Sequence, residues 1–192
     1  MKKIKILVTG AGSGVGQSII KSLNISKIKC QVISADIDYF NSALFRTKNS
    51  IIVPKVEEPG ALKWYLTNLK KLKITVLMIG SEFDLNFFSK NKKIIKKKTN
   101  CDVCITDSNT IKIADDKYLT QQFLKDNGLP YLKTFKPKTL LEAVKFSKKL
   151  KFPFILKGRF GTSSRNVFLI KKKDELISFF YHVEKPILQE HI

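Results

Sequence analysis

The sequence predicts an α/β chain, a doubly wound parallel sheet followed by a small α+β unit. Three observations carry this. Short β-branched apolar runs alternate with longer segments of helical spacing up to Asp107, a glycine-rich turn joins the first run to the first helical segment, and the pattern changes after Asp107. The boundary is placed between residues 1–112 and 113–192.

The apolar runs at residues 4–8, 32–35, 51–53, 74–79 and 103–105 are short and rich in Val and Ile, as strands buried on both faces are. Helical spacing fills residues 15–23 and 61–72 between them, so strand and helix alternate and the strands should lie parallel. The first turn reads Thr9-Gly10-Ala11-Gly12-Ser13-Gly14-Val15-Gly16. Glycines let such a turn tighten or approach a ligand, and free amides at the helix start can hold an anion. Asp36 ends the second strand, at the spacing from which a carboxylate reaches a ribose hydroxyl. On these residues a dinucleotide site and a glycine seam that only brings strand and helix together are both open. Ser81, Glu82 and Asp84 follow the fourth strand, where ligands gather beyond carboxyl ends; helix capping is their other reading.

After Asp107, helix starts fall at Ser108 and Asp115, with a stop at Gly128 and Pro130 behind it. A helix over 140–150, a strand over 154–157, a loop over 158–166, a strand over 167–170, a helix over 174–180 and a strand over 187–189 complete the second unit. The loop, KGRFGTSSRNV from Lys157, lies in a hairpin and suits a polyphosphate. Gly158 and Gly161 permit unusual backbone angles, Thr162, Ser163 and Ser164 offer hydroxyls and amides, and Lys157 and Arg165 supply charge. It is not a P-loop, because no G-x-x-x-x-G-K-[ST] is present and a strand follows it. A mobile hydrophilic hairpin would not need a lysine at the end of an apolar strand.

Composition narrows the classes. With 192 residues and 43% hydrophobic content the chain is expected to fold, and no apolar run approaches a membrane span. It opens MKKIKILVTG without a signal-peptide cleavage region, so a cytoplasmic setting is the default expectation. The formal charge of +20 invites a nucleic-acid reading, but only Arg46, Arg159 and Arg165 among the basic residues are arginines, and the lysines are spread along the chain. Lys92, Lys93, Lys96, Lys97 and Lys98 would form the site if one existed; a solvated helix face accounts for them better. Cys30, Cys101 and Cys104 are too few for a disulfide framework. The Cys101/Cys104 pair reads as part of a strand, whose residues three apart face opposite ways, so no metal site is expected in this chain.

Four segments in order, ILVTGAGSGVGQSIIKSL, IADDKYLTQQFLKDNGLP, FPFILKGRFGTSSRNVFLI and ILQEHI, give the whole chain a layout that resembles the ATP-grasp superfamily. The resemblance is specifically to ligases similar to the carbamoyl-phosphate synthase large chain, with their Rossmann-like pre-ATP-grasp domain. It implies ATP as cofactor. Lys117 and Lys157 would be the two phosphate-binding lysines. Gly161, Thr162, Ser163 and Ser164 would form the loop that closes over the triphosphate, flanked by Arg159 and Arg165. Gln189, Glu190 and Ile192 fall in the adenine-holding stretch. The pocket for the acceptor would involve Gly12, Ser13, Gly14, Ser81, Glu82 and Asp84. In such ligases ATP activates a carboxylate or bicarbonate as an acyl phosphate, which an amine then attacks. Small-molecule carboxylate and amine partners are therefore implied, and a homo-oligomer is compatible with the family. The Mg²⁺ ligands of the family lie in a second subdomain after the adenine segment. The chain is thus expected to be a fragment or a truncated product of such a ligase and inactive alone.

Two readings compete. A short-chain dehydrogenase-like NAD enzyme would use Thr9, Gly10, Gly14 and Gly16, with Tyr181 and Lys185 as its Tyr-x-x-x-Lys pair. Lysine is so frequent here that such a pair arises by chance, and Pro186 disfavours a helix through Lys185. A regulatory module that keeps the fold without the chemistry is the second.

Overall fold

The computed structural model describes residues 4–161 and 166–192. They divide into two compact units, Met1–Ile111 and Lys112–Ile192.

In the first unit, β1 (Ile4–Thr9), β2 (Cys30–Asp36), β3 (Asn49–Ile52), β4 (Val76–Ile79) and β5 (Asp102–Cys104) form one sheet in the order β3-β2-β1-β4-β5. Every pairing is parallel. Alternation along the strands feeds two cores. Ile6 and Val8 pack with Ile20 of α1 (Gly14–Ile25) on one face, while Leu7, Ile33 and Leu77 pack with Tyr65 and Leu69 of α2 (Ala61–Lys71) and Phe88 and Ile95 of α3 (Leu85–Thr99) on the other. Helices on both faces make the sheet doubly wound. One link departs from strict alternation: β2 reaches β3 through a 3-10 turn, Ser42–Arg46, rather than an α-helix. Cys101 is buried and Cys104 exposed; β5 holds Cys104, and Cys101 lies just before it rather than within the strand.

The glycines of the first turn are a packing seam. Gly10 has φ +53°, and a Cβ there would stand 2.6 Å from the Ser81 Cβ. A Cβ on Gly16 would collide with the Gly10 carbonyl, and one on Gly80 would lie 2.6 Å from the Gly16 Cα. The chain after β1, the start of α1 and the end of β4 therefore touch backbone to backbone.

After α4 (Ser108–Asp115), the second unit holds α5 (Lys117–Asp126), β6 (Thr134–Phe135), α6 (Leu140–Leu150), β7 (Phe154–Gly158), β8 (Val167–Ile170), α7 (Lys173–Phe179) and β9 (Pro186–Glu190). Its sheet runs β6-β9-β7-β8, all antiparallel. The two-residue β6 is an addition to the strands predicted. Phe154, Leu156 and Leu188 turn to one face, against Ala143 of α6 and Leu176 of α7. The pleat sends Lys157, Ile187 and Gln189 to the other.

Candidate functional site

The polar centre of the second unit is built where α5 meets the hairpin of β7 and β8. Asp116, not Asp115, caps α5: its Oδ1 accepts from the Tyr118 and Leu119 amides at 3.0 and 3.2 Å. This correction of one residue matters, because the same buried carboxylate also receives Arg159, through Nε at 2.7 Å and through a second guanidinium nitrogen. Burial alone pushes the Asp116 carboxyl up, but the Arg159 hydrogen bonds, the two amides and the Arg159 charge outweigh it and hold it below its ordinary range. The Lys117 amide donates to the Arg159 carbonyl at 3.1 Å, so the helix start and the loop are joined twice.

Two lysines converge on this junction. Lys117 Nζ donates to the Gly161 carbonyl at 2.6 Å. Lys157 Nζ donates to Gln189 Oε1 at 2.6 Å, and Gln189 Nε2 donates to Thr134 Oγ1 at 2.9 Å. Burial first, and then the positive charge of Lys117, push the Lys157 ammonium below its ordinary range. The Lys117 charge thus favours an anion beside Lys157.

Of the residues singled out for a nucleotide, Lys117, Lys157, Arg159, Gly161 and Gln189 are brought together. Thr162, Ser163, Ser164 and Arg165 lie outside the described residues. Glu190 turns to the chain beside it, its Oε1 accepting from the Lys133 amide at 2.7 Å. The Ile192 side chain is exposed. Asp116 and Thr134 belong to the arrangement without having been singled out; the Asp-Lys pair at a helix start was the one sequence signal for the first, and nothing local marks the second.

In the first unit a cavity of about 350 Å³ opens beyond the carboxyl ends of the strands, where Ser13, Asp36, Lys55, Glu57, Ser81 and Asp84 reach it. Gly12, Gly14 and Glu82 do not line it. Neither Ser81 nor Asp84 uses its side chain to cap a helix. Ser13 does cap α1, accepting from the Gly16 amide at 2.8 Å, and its hydroxyl also donates to the Gly80 carbonyl. The dinucleotide reading of the turn is not favoured. The Gly12 amide, which would meet a pyrophosphate, already donates to Asp36 Oδ2 at 2.8 Å, and the Asn41 side chain occupies the space over Gly12. Tyr181 and Lys185 are not on a common helix: Tyr181 sits in a 3-10 turn, and Lys185, outside it, has φ +48°.

Among the described residues no group of three or more His, Cys, Asp or Glu is placed to hold a metal ion, and no helix is long and apolar enough to cross a membrane. Of the lysines on α3, Lys92 donates to the Ile105 carbonyl at 2.6 Å and Lys96 pairs with Asp102 at 2.7 Å.

No family sequence model matches this chain, and no curated protein matches it by sequence. Solved structures do. The chain is similar to N5-carboxyaminoimidazole synthetase from Staphylococcus aureus complexed with ADP, with a TM-score of 0.77 and 20% identity over 99% of this chain and 48% of that one. It is similar to the biotin carboxylase domain dimer of the Hydrogenobacter thermophilus 2-oxoglutarate carboxylase, in complex with MgADP, ADP and bicarbonate (TM-score 0.76, 15% identity, 98% and 44% of the two chains). L-amino acid ligase from Bacillus licheniformis is a third (0.70, 16%, 100% and 45%). The chain spans about half the length of these proteins. The likeness establishes the fold: a parallel sheet and a separate antiparallel sheet, as in the amino-terminal portion of ATP-grasp enzymes.

Proposed function

We propose that this chain is the nucleotide-binding portion of an ATP-grasp ligase, with ATP phosphates seated between Lys117 and Lys157. The observation that carries the reading is the convergence of these two lysines from different elements, one of them half-buried and disfavoured by the charge of the other. A polyanion relieves that repulsion. Asp116 and Arg159 would hold the loop at its base, and Gln189 and Glu190 would lie along the adenine.

The reaction proposed is activation of a carboxylate or bicarbonate as an acyl phosphate, followed by attack of an amine, as in ligases of the carbamoyl-phosphate synthase type. The lysines of this chain would neutralise charge on the phosphates and orient them. Magnesium finds no ligand set among the described residues. The ligase-type solved structures, two of them with ADP, support this reading over an oxidoreductase.

The test is thermal stabilisation by Mg-ATP, ADP and NAD in parallel. A shift with ATP or ADP that disappears in Lys157→Ala, with none for NAD, supports the proposal; a shift with NAD alone ends it.

A further inference from the structure

The fold gathers lysines that the sequence spreads out. α2 and α3 pack side by side on one face of the parallel sheet, and neither contains an acidic residue. α3 buries Phe88 and Ile95, so at about 3.6 residues per turn its outward line runs through Lys90, Lys93 and Lys97. Lys92 and Lys96 turn toward β5, where the Ile105 carbonyl and Asp102 receive them. Lys98 turns the other way. With Lys70 and Lys71 of α2 it walls a hollow of about 470 Å³ that no acidic side chain lines. Lys70, Lys71, Lys90, Lys93, Lys97 and Lys98 are all exposed, and none of them belongs to an ion pair among the described residues.

A solvated helix ordinarily interleaves acids with its lysines, because like charges three or four positions apart repel. α3 sets Lys90 beside Lys93, Lys93 beside Lys97 and Lys92 beside Lys96 with no acid on the helix to offset them. The helix dipole accounts for lysines in the last turns of α2 and α3, but not for Lys90 and Lys93. α3 alone reads as a solvated face; the lysines of α2 that complete a valley beside it are brought there only by the fold.

We infer that the face made by α2 and α3 binds the phosphate backbone of a nucleic-acid duplex. Phosphates of one strand lie in the valley between the helices, with Lys70 and Lys71 on one side and Lys93, Lys97 and Lys98 on the other. The composition of the face selects this partner. Protein interfaces concentrate aromatic, Met and Arg side chains and are poor in Lys, and the hollows on either side of α3 are lined by none of the former. Ile94 is the one exposed large apolar residue of the two helices, too little to anchor a protein partner or to enter a bilayer. Single strands are held by stacking on aromatic rings, and no exposed aromatic belongs to α2 or α3. Lysine is a point charge without the planar fork of arginine, so the contact is to phosphate and carries no base readout. No residue of the nucleotide site takes part, so the inference goes beyond the ligase proposal and is independent of it.

The test is fluorescence anisotropy of a labelled DNA duplex of about 20 base pairs, titrated with the full chain across a salt series. With five lysines on phosphate, log K should fall against log salt with a slope of about −4.5. Lys93→Gln, Lys97→Gln and Lys98→Gln together should weaken binding at least about tenfold and make the slope shallower by about 3. Lys145→Gln, Lys148→Gln and Lys172→Gln together remove the same charge from exposed sites of the second unit and should change the affinity less than about threefold. Equal weakening by the two triple variants overturns the inference, because the duplex would then respond only to the net charge of +20. A slope shallower than about −2 overturns it as well. So does tighter binding of a single strand of the same length, or displacement of the duplex by poly-L-glutamate or phosphatidylserine vesicles at equal charge.

Discussion

Lys157 and Gln189 face each other diagonally across β7 and β9, joined by the 2.6 Å bond from Nζ to Oε1, and Gln189 is itself held by Thr134. The lysine is therefore aimed by a fixed amide rather than left to swing. Three strands, β6, β9 and β7, contribute one residue each to that line.

Removal of the lysine should abolish most nucleotide binding without unfolding the sheet. Lys157→Ala is expected to weaken Mg-ATP by about 10- to 100-fold, the worth of a charge-assisted contact. Gln189→Met should act in the same direction but less, about threefold, by leaving the lysine unaimed. Isothermal titration of both variants checks the order.

Asp116 should dominate the acid limb of the second unit. Its carboxyl is held below the unfolded value, so the stabilisation is present above about pH 4 and is lost as pH falls through the lower folded value. Asp116→Asn keeps a competent cap for α5 but loses the charge on Arg159, and should lower stability at neutral pH by about 2 kcal/mol. Urea unfolding from pH 3 to 7 should show the difference vanish at the acid end.

Asp84 should behave in the opposite sense. Its folded value of about 6 lies above that of the unfolded chain, so the folded state keeps a proton that the unfolded state has lost, and stability declines as pH rises from about 4 to 6. Asp84→Asn should then be more stable than the parent by about 1–2 kcal/mol at pH 7.5, allowing for its partial exposure, and equal to it near pH 4. Thermal unfolding at the two pH values decides this.

The glycine seam should separate two neighbours in the same turn. Gly16→Ala drives a methyl into the Gly10 carbonyl and should cost about 3 kcal/mol or more, whereas a Cβ on Gly14 meets nothing within 4 Å. Gly14→Ala, at the start of α1, should be neutral or slightly stabilising. Expression level and melting temperature of the pair provide the comparison.

The five parallel strands were legible because residues such as Leu7 and Leu77 lie in short apolar runs that no surface helix would carry. The hairpin was legible because Lys157 closes one apolar strand and Val167 opens the next. What escaped were features made by contact rather than by period. Thr134 and Phe135 form a strand too short to alternate, and exist as one because β9 pairs with them. Asp36 looked like a ribose ligand by spacing, yet its oxygens serve the Gly12 and Asp38 amides, a choice made by Asn41 and the turn together. Asp116 was one residue away from the helix start that was read, and its bond to Arg159 crosses 43 positions of chain that no local pattern spans.

The bond from Lys117 to the Gly161 carbonyl makes the chain an internal competitor for its own cation. The ammonium has two further donors, so a phosphate can share Lys117 with that carbonyl; where it needs the same donor, the measured dissociation constant is the intrinsic one divided by the fraction of molecules in which the lysine is released. Anion occupancy of the lysine and its hold on the Gly161 carbonyl are thereby linked, and a substitution that weakens the Gly161 contact should tighten anion binding.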